Sequence, residues 1–526
     1  MTHTLQYPRP YLLYLAFLGA FFLFKNKLRA QPAELHWLSS VKTAKDQHTL
    51  LLLNAGAEGF ALLRWQDRRV DVSSGAVTPA MPLLTLLSPT GERLHEEPLP
   101  GFSDGQLSYR FGIAMDSLLL VGYEAPDAVG RPALYLSRLH VRQRQWLGAP
   151  QEVFTSTAGR APAFAAAWFN VSADGRHFCI YQSESGQSPR ILVAVFTRSG
   201  RLEWQRAAVL PPQSGPLTLR RVLCTGRGDI AVQARIFNAD TPQKGLTIDL
   251  PPTAFRSDGR PLLRREEWNA KLSPYANAVF VLRQDVAEPD AYYLDPGEKY
   301  TPALELAEDA KGHIWAAGLT HPSDNTLADG YFVYTLDPDA RKGEMLQNAA
   351  LPTSVRKAFS TKKNASGKEP LEATGLCWLD WTADGKPWLL LEQYNAQVQP
   401  ERVETAALLR LDSTYRITAT RRIEKYQRLH TGHPQNFASV AACPAPKSGW
   451  WLLWNEGAWP ETKLILTECR AGGEPEDFVL TTAAQSNVTM LPQTLLFSEG
   501  KWYFAGESEY HERIRIGVVE ALKKGK

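Results

Sequence analysis

Five glutamates stand at the ends of short apolar runs, each run opened by a tight turn. Asp384–Gln393 shows the pattern most fully: Asp-Gly-Lys-Pro-Trp-Leu-Leu-Leu-Glu-Gln, ending on Glu392. Glu184 closes the run opened by Asp174-Gly175, Glu456 the run after Ser448-Gly449-Trp450-Trp451, and Glu507 the run after Glu499-Gly500-Lys501-Trp502. A weaker copy starts at Asp116-Ser117-Leu118 and ends on Glu124. If each unit is a hairpin of one repeat, the five carboxylates reach the same end of the scaffold. A ring of carboxylates can hold a hard cation such as calcium through oxygen ligands, or receive a basic partner. A closely spaced pair could instead act as acid and base on a glycosidic bond. His321, Tyr394, Asn455 and Trp459 fall beside these run ends, and Trp268 and Trp459, both in turn-rich stretches, offer aromatic platforms for a sugar or a peptide.

The elements that would position these residues are strands. From Glu34 onward, apolar or alternating runs of strand length are separated by Gly, Pro, Asn and Asp turns, and no helical period persists. The runs fall into about eight sets of four, with seven possible because the two upstream copies are weak, each set roughly 45 to 80 residues long. A four-stranded sheet cannot bury both its faces alone, whereas a closed ring of such sheets can. The expected fold is therefore all-β: a β-propeller of four-stranded antiparallel blades, preceded by an N-terminal hydrophobic segment. Two stacked β-sandwiches would use the same strands but would not explain the regular return of the Gly turn. The last set shows only three strands, so Glu34–Ser39 is expected to pair with Arg513–Val519 and complete it.

The turn Ser172-Ala173-Asp174-Gly175-Arg176 resembles the S-x-D-G turn of TolB-type (PD40) propeller repeats, and Lys311-Gly312-His313-Ile314-Trp315 resembles the G-x-I-W turn of other bacterial propellers. The resemblance covers a few residues per blade. It implies a fold and no activity.

Propeller topology sorts the connections. With strands lettered a to d from the axis outward, the a–b and c–d turns share one face, and the b–c and d–a connections share the other. The Gly turns are a–b turns, and the tight c–d turns include Thr197-Arg198-Ser199-Gly200. The long irregular segments gather opposite them. They include an insertion at 238–276, the b–c segment Gln393–Glu404, and the d–a connection Pro352–Leu371 with its lysines. Binding usually sits on such loops.

The formal charge of +3 over 526 residues is near balance and excludes a nucleic-acid footprint. The five cysteines are scattered, never spaced as a zinc site, and read as small buried residues. No H-E-x-x-H motif, phosphate-binding loop or dinucleotide fingerprint is present, so no cofactor other than a cation is implied. Tyr11–Phe24 is an uninterrupted apolar run of the length of a signal-peptide core, after Arg9 and before Leu28-Arg29-Ala30. Lys25, Lys27 and Arg29 behind it would favour a retained anchor facing the other way. The expected organisation is a signal peptide or membrane anchor at 1–30 and a single propeller domain at 31–526. The expected role is an extracytoplasmic, membrane-associated binding or scaffold protein, with a protein or glycan partner in the cell envelope. The alternative is a carbohydrate-active hydrolase or lyase that uses the face glutamates.

Overall fold

The structure is a computed structural model. It describes residues 32–522 except 55–58, 71–76, 79, 104–105, 116, 157–166, 185–189, 211–216, 238–274, 298–299, 323–326, 361–366, 373, 382–384, 396–401, 429–439, 446–448, 458–460, 471–473 and 509–510. Eight antiparallel sheets follow one another along the chain, and strand order in each runs outward from its first strand. Blade 1 is Gln47–Asn54, Phe60–Gln66, Met81–Leu87 and Arg93–Pro98. Blade 6 is Thr374–Trp381, Pro387–Asn395, Arg402–Leu411 and Ile417–Arg428. The seam between each blade and the next holds its own apolar cluster. Ile113, Phe169 and Phe196 fill the seam of blades 2 and 3, and Leu52, Leu62 and Ile516 fill that of blades 8 and 1. The protein is an eight-bladed β-propeller.

Strand sequences reflect this stacking. A blade is covered on both faces by its neighbours, so its middle strands are apolar throughout rather than alternating. Met81–Leu87 and Ile314–His321 are buried at every position. The outer strand Leu202–Val209 alternates between partly buried and exposed residues. Tryptophans pack across two seams: Trp315 meets Trp381 at 5.4 Å between blades 5 and 6, and Trp378 meets Trp450 at 4.9 Å between blades 6 and 7, both edge to face.

The ring closes as the sequence implied. Ala33–Trp37 pairs antiparallel with Arg513–Ala521 and supplies the outer strand of blade 8, with Val41–Lys42 extending the pairing. Trp37 stacks edge to face on Phe504, and Arg515 lies over the Trp37 ring. The inner strand of this blade is broken into Thr489–Met490 and Leu496–Ser498.

Gly175, Gly312, Gly385 and Gly500 all have positive φ, between 67° and 84°, as the hairpin assignment requires. Two features lie outside the strand reading. A short helix, Thr353–Phe359, sits in the connection from blade 5 to blade 6, and Leu371–Glu372 pairs with Leu327–Ala328 to tie that connection to blade 5. In blade 2, Asp127 accepts hydrogen bonds from the amides of Val129 and Arg131, so this b–c connection is a compact turn rather than a long loop.

Candidate functional site: a buried polar belt beneath the loop-rich face

The last residues of strand b include polar groups in all eight blades; blade 3 ends on Ser183-Glu184, whose side chains lie outside the described residues, and each of the other seven has a buried one. From blade 1 they are Arg64, Glu124, Arg235, His321, Glu392, Asn455 and Glu507, with blade 3 omitted; all seven are buried. Most lie opposite the first residues of strand a, for example Glu124 opposite Ser108 and Glu507 opposite Thr489, and Asn455 lies one residue beyond the Trp454–Val440 pair. Charged groups in a dry seam are costly unless paired. The geometry shows how most of them are satisfied.

Glu124 accepts a hydrogen bond from Arg110 at 2.7 Å. Arg110 is the extra residue of an inner-strand bulge, since Tyr109 pairs with Tyr123 and Phe111 with Gly122. Glu392 forms an ion pair with Lys425, and both side chains are buried. Lys425 also sits at an irregularity: Glu424 pairs with Thr405, but Gln427 pairs with Val403. Burial pushes the Lys425 ammonium down to about 7, against the opposing influence of Cys377; the adjoining Glu392 carboxylate works against that fall. In both blades a bulge turns a cation out of the regular alternation and onto the glutamate.

The seam of blades 8 and 1 holds the densest group. Glu507 accepts the Thr49 amide at 2.8 Å through one oxygen and bonds His511 Nδ1 at 2.7 Å through the other. Burial alone would raise its pKa. The hydrogen bond to His511, the charge of that ring, the Thr49 bond and Arg64 outweigh it and hold the carboxyl below its usual value. His48 lies edge to face on His511 with ring centroids 4.8 Å apart, and bonds Asp67 at 2.8 Å. Arg64 Nη1 donates to Gln47 at 2.8 Å and to Glu96 at 3.0 Å, while its Nε and Nη2 are buried without a hydrogen-bond partner. Burial lowers the Arg64 pKa, opposed by Glu507 and Glu96.

The expected site residues therefore divide. Glu124, Glu392 and Glu507 do not emerge onto the face as the alternation suggested. They lie beneath it, each held by a partner from its own chain, because the loop ends of the strands are still covered by neighbouring blades. Glu456 is partly exposed and pairs with Lys463 at 3.0 Å. His321 is buried at the end of its strand. The backbone of Glu184 ends its b strand and that of Tyr394 is next to last in its own, while their side chains, and Trp268 and Trp459 entirely, lie outside the described residues. Among the described residues no three His, Cys, Asp or Glu side chains come together as a metal site.

The sequence reading passed over Arg64, Arg110, Arg235 and Lys425. A cation ending the apolar run Phe60-Ala61-Leu62-Leu63 was a visible signal for Arg64, whereas nothing local marks a bulge. It also passed over Gly101-Phe102-Ser103-Asp104-Gly105, which spells the G-x-S-x-G of a nucleophile elbow. That motif needs a strand-to-helix turn. Here the string lies between the outer strand of blade 1 and the inner strand of blade 2, with Phe102 anchored in the seam between them.

No family model matches the chain, and no curated protein matches it. Solved structures do resemble it at low identity. The β-propeller domain of the Trilobed protease from Pyrococcus furiosus is 8% identical with a TM-score of 0.33, covering 84% of this chain and 97% of that one. The polysaccharide lyase Uly1 is 8% identical with a TM-score of 0.38, covering 93% and 100%. A mutant apocarotenoid oxygenase of Synechocystis is 11% identical with a TM-score of 0.34, covering 83% and 90%. At these scores the likenesses say nothing about chemistry.

Proposed function

We propose that the chain is an exported propeller that binds a protein or glycan partner in the cell envelope through its loop-rich face, without catalysis. One observation carries this reading. Each described strand-b glutamate, at 124, 392, 456 and 507, is already engaged by an Arg, Lys or His of its own chain. General acid–base chemistry on a glycosidic bond requires two carboxyl groups facing substrate with pKa values pushed apart. Here the Glu507 carboxyl is held below its usual value by internal partners, which suits a structural role. The belt stiffens the platform from which the b–c and d–a connections rise. Export follows from the apolar run Tyr11–Phe24, which lies outside the described residues. Among the described residues no helix is long and apolar enough to cross a membrane.

The test has two arms. Mass spectrometry of the chain isolated from its native cells reads whether the N-terminal run is removed or the chain is retained in the membrane. Arrays of envelope glycans and peptides then compare Glu456→Gln, at the loop end of its strand, together with Trp459→Ala, which follows it in the b–c connection, against Lys386→Gln with Arg198→Gln on the turn face. Loss of binding confined to the first pair is expected. Equal loss, or loss only in the second pair, overturns the choice of face, and turnover of any arrayed glycan overturns the non-catalytic reading.

A further inference from the structure

The five cysteines read as inert core residues in the sequence, and four of them are buried. Two differ from the others in where they lie. Cys179 is on strand b of blade 3 (His177–Glu184), and Cys224 ends strand a of blade 4 (Leu217–Cys224), 45 positions later. Both are fully buried, and both belong to the apolar cluster that fills the seam of these two blades. Asn170 locks them side by side. It is the direct cross-strand partner of Cys179, and its Oδ1 accepts the Cys224 amide at 2.7 Å. The Cys224 thiol donates to the Thr225 carbonyl at 3.8 Å, and burial first, then the neighbouring Cys179 thiol, pushes it well above its usual pKa. The other three are placed differently: Cys443 donates to the Trp451 carbonyl in blade 7, and Cys469 and Cys377 lie on other strands of blades 7 and 6.

We propose that Cys179 and Cys224 are an inter-blade disulfide site, closed when the chain folds in an oxidising medium, where the bond staples blade 3 to blade 4. The oxidant is a disulfide-bearing thiol compound or oxidoreductase. The thiolate of one cysteine attacks a sulfur of that disulfide and expels one thiolate. The second cysteine then attacks the mixed disulfide and expels the other. One sulfur–sulfur bond forms and one breaks, the oxidant is reduced to two thiols, and the two cysteine protons pass to them through solvent. Timing follows from burial. Once docked, the pair is shielded from reagent and poor in thiolate, so the bond closes while the blades are assembling. The native occurrence of the bond rests on the export reading above, because a reducing compartment would keep both thiols free.

The experiment separates the two claims. The denatured, reduced full chain is refolded in a mixture of reduced and oxidised glutathione, alkylated under denaturing conditions and mapped by peptide mass spectrometry. The expected product is one cross-linked peptide pair carrying Cys179 and Cys224, lighter by two hydrogen atoms than the reduced pair, with Cys377, Cys443 and Cys469 alkylated. Where refolding is inefficient, soluble folded chain equilibrated in the same mixture with denaturant below its unfolding midpoint gives the same readout. The oxidised form should melt at a higher temperature than the reduced form, and Cys224→Ser should abolish that difference. Five alkylated cysteines, or a cross-link between any other pair, overturns the site. Chain isolated from native cells with thiols blocked at lysis tests the compartment. A bond found there supports both claims. Free thiols there, with the bond formed in vitro, keep the site and overturn export.

Discussion

On the turn face, many polar side chains bond to neighbours a few positions away, although the blade 4 turn also reaches blade 5 through the Gly226 amide on Glu308 and Arg227 on Asp339. Asp309 accepts the amides of Lys311 and His313 and the indole of Trp315, Ser172 bonds Asp174 and His177, and Thr225 takes the Asp229 amide. On the loop-rich face, the polar groups reach far along the chain. The Thr49 amide meets Glu507, Arg64 meets Glu96, Lys425 meets Glu392, and Asn455 donates to the Met490 carbonyl. The first arrangement mainly shapes individual hairpins. The second locks strands and blades to one another, and its charges lie where water cannot compensate for a lost partner. The two faces should therefore respond differently to substitution: mildly where the bonds are local, severely where they are buried and distant.

Removing residues through 42 should give the largest effect. It strips the outer strand from blade 8, exposes the edge of Arg513–Ala521, and uncovers Ile514 and Ile516 where Val41 packs. Several backbone hydrogen bonds and an apolar seam are lost together, so a fall on the order of 5 kcal/mol and a tendency to aggregate are expected. Chemical denaturation against the full chain measures it, and an unchanged midpoint would mean the closing strand contributes nothing.

Lys425→Met should come next, at about 3–5 kcal/mol, because it leaves Glu392 buried and unpaired. The double variant Lys425→Met, Glu392→Leu should recover much of the loss. If the single and double variants are equally unstable, packing rather than charge decides the site. Glu392 also cannot serve as a neutral probe of binding, since Glu392→Gln would strand the ammonium in the same way.

Glu507→Gln should cost about 2–3 kcal/mol at neutral pH, through loss of charge-assisted hydrogen bonds. The difference from wild type should depend on pH with a definite sign. The folded carboxyl titrates below its ordinary value of 4.5, so the unfolded chain takes up the proton first as acid is added. The advantage of wild type is thus complete above about 4.5, and shrinks as pH falls through the folded value. Stability of the two chains measured across this acidic range would show the gap narrowing, and a gap that widens would contradict the assignment.

Gly385→Ala should be the smallest, about 1 kcal/mol, because a Cβ there meets nothing within 4 Å and only the left-handed backbone at φ 73° is strained. Gly449→Ala sharpens the point within the same face. Its Cβ would stand 2.1 Å from the Cys469 carbonyl oxygen, so the backbone itself must move and the loss should exceed that at Gly385. Thermal melts of the two variants side by side are sufficient to rank them.

Much of the fold was legible because its rules are local. A turn glycine with positive φ, a middle strand apolar at every position and an outer strand that alternates each leave a mark within ten residues. The propeller follows from their repetition, and the closing strand from the missing fourth strand of the last set. The reading of the strand-b glutamates was half legible. Their place near the loop end of the strand is a matter of counting: Glu184, Glu456 and Glu507 end their b strands, and Glu124 and Glu392 stand two and three residues before the ends of theirs. Their exposure was misjudged, because a strand end that looks terminal in sequence is still covered by the adjoining blade.

By itself, then, the sequence determined the strand menu, the hairpins, the eight repeats and the means of closing them. Tertiary structure alone decided which charges meet. Arg110 and Lys425 reach their glutamates only because single-residue bulges turn them out of the two-residue alternation, and a bulge of this kind leaves no residue-type signature. His511, Arg64 and the Thr49 amide gather around Glu507 only because ring closure brings the first blade against the last, across 458 positions of chain in the case of Thr49. Local preferences act over a turn or a strand. The partner of a buried charge is set by whichever surface finally excludes the water from it.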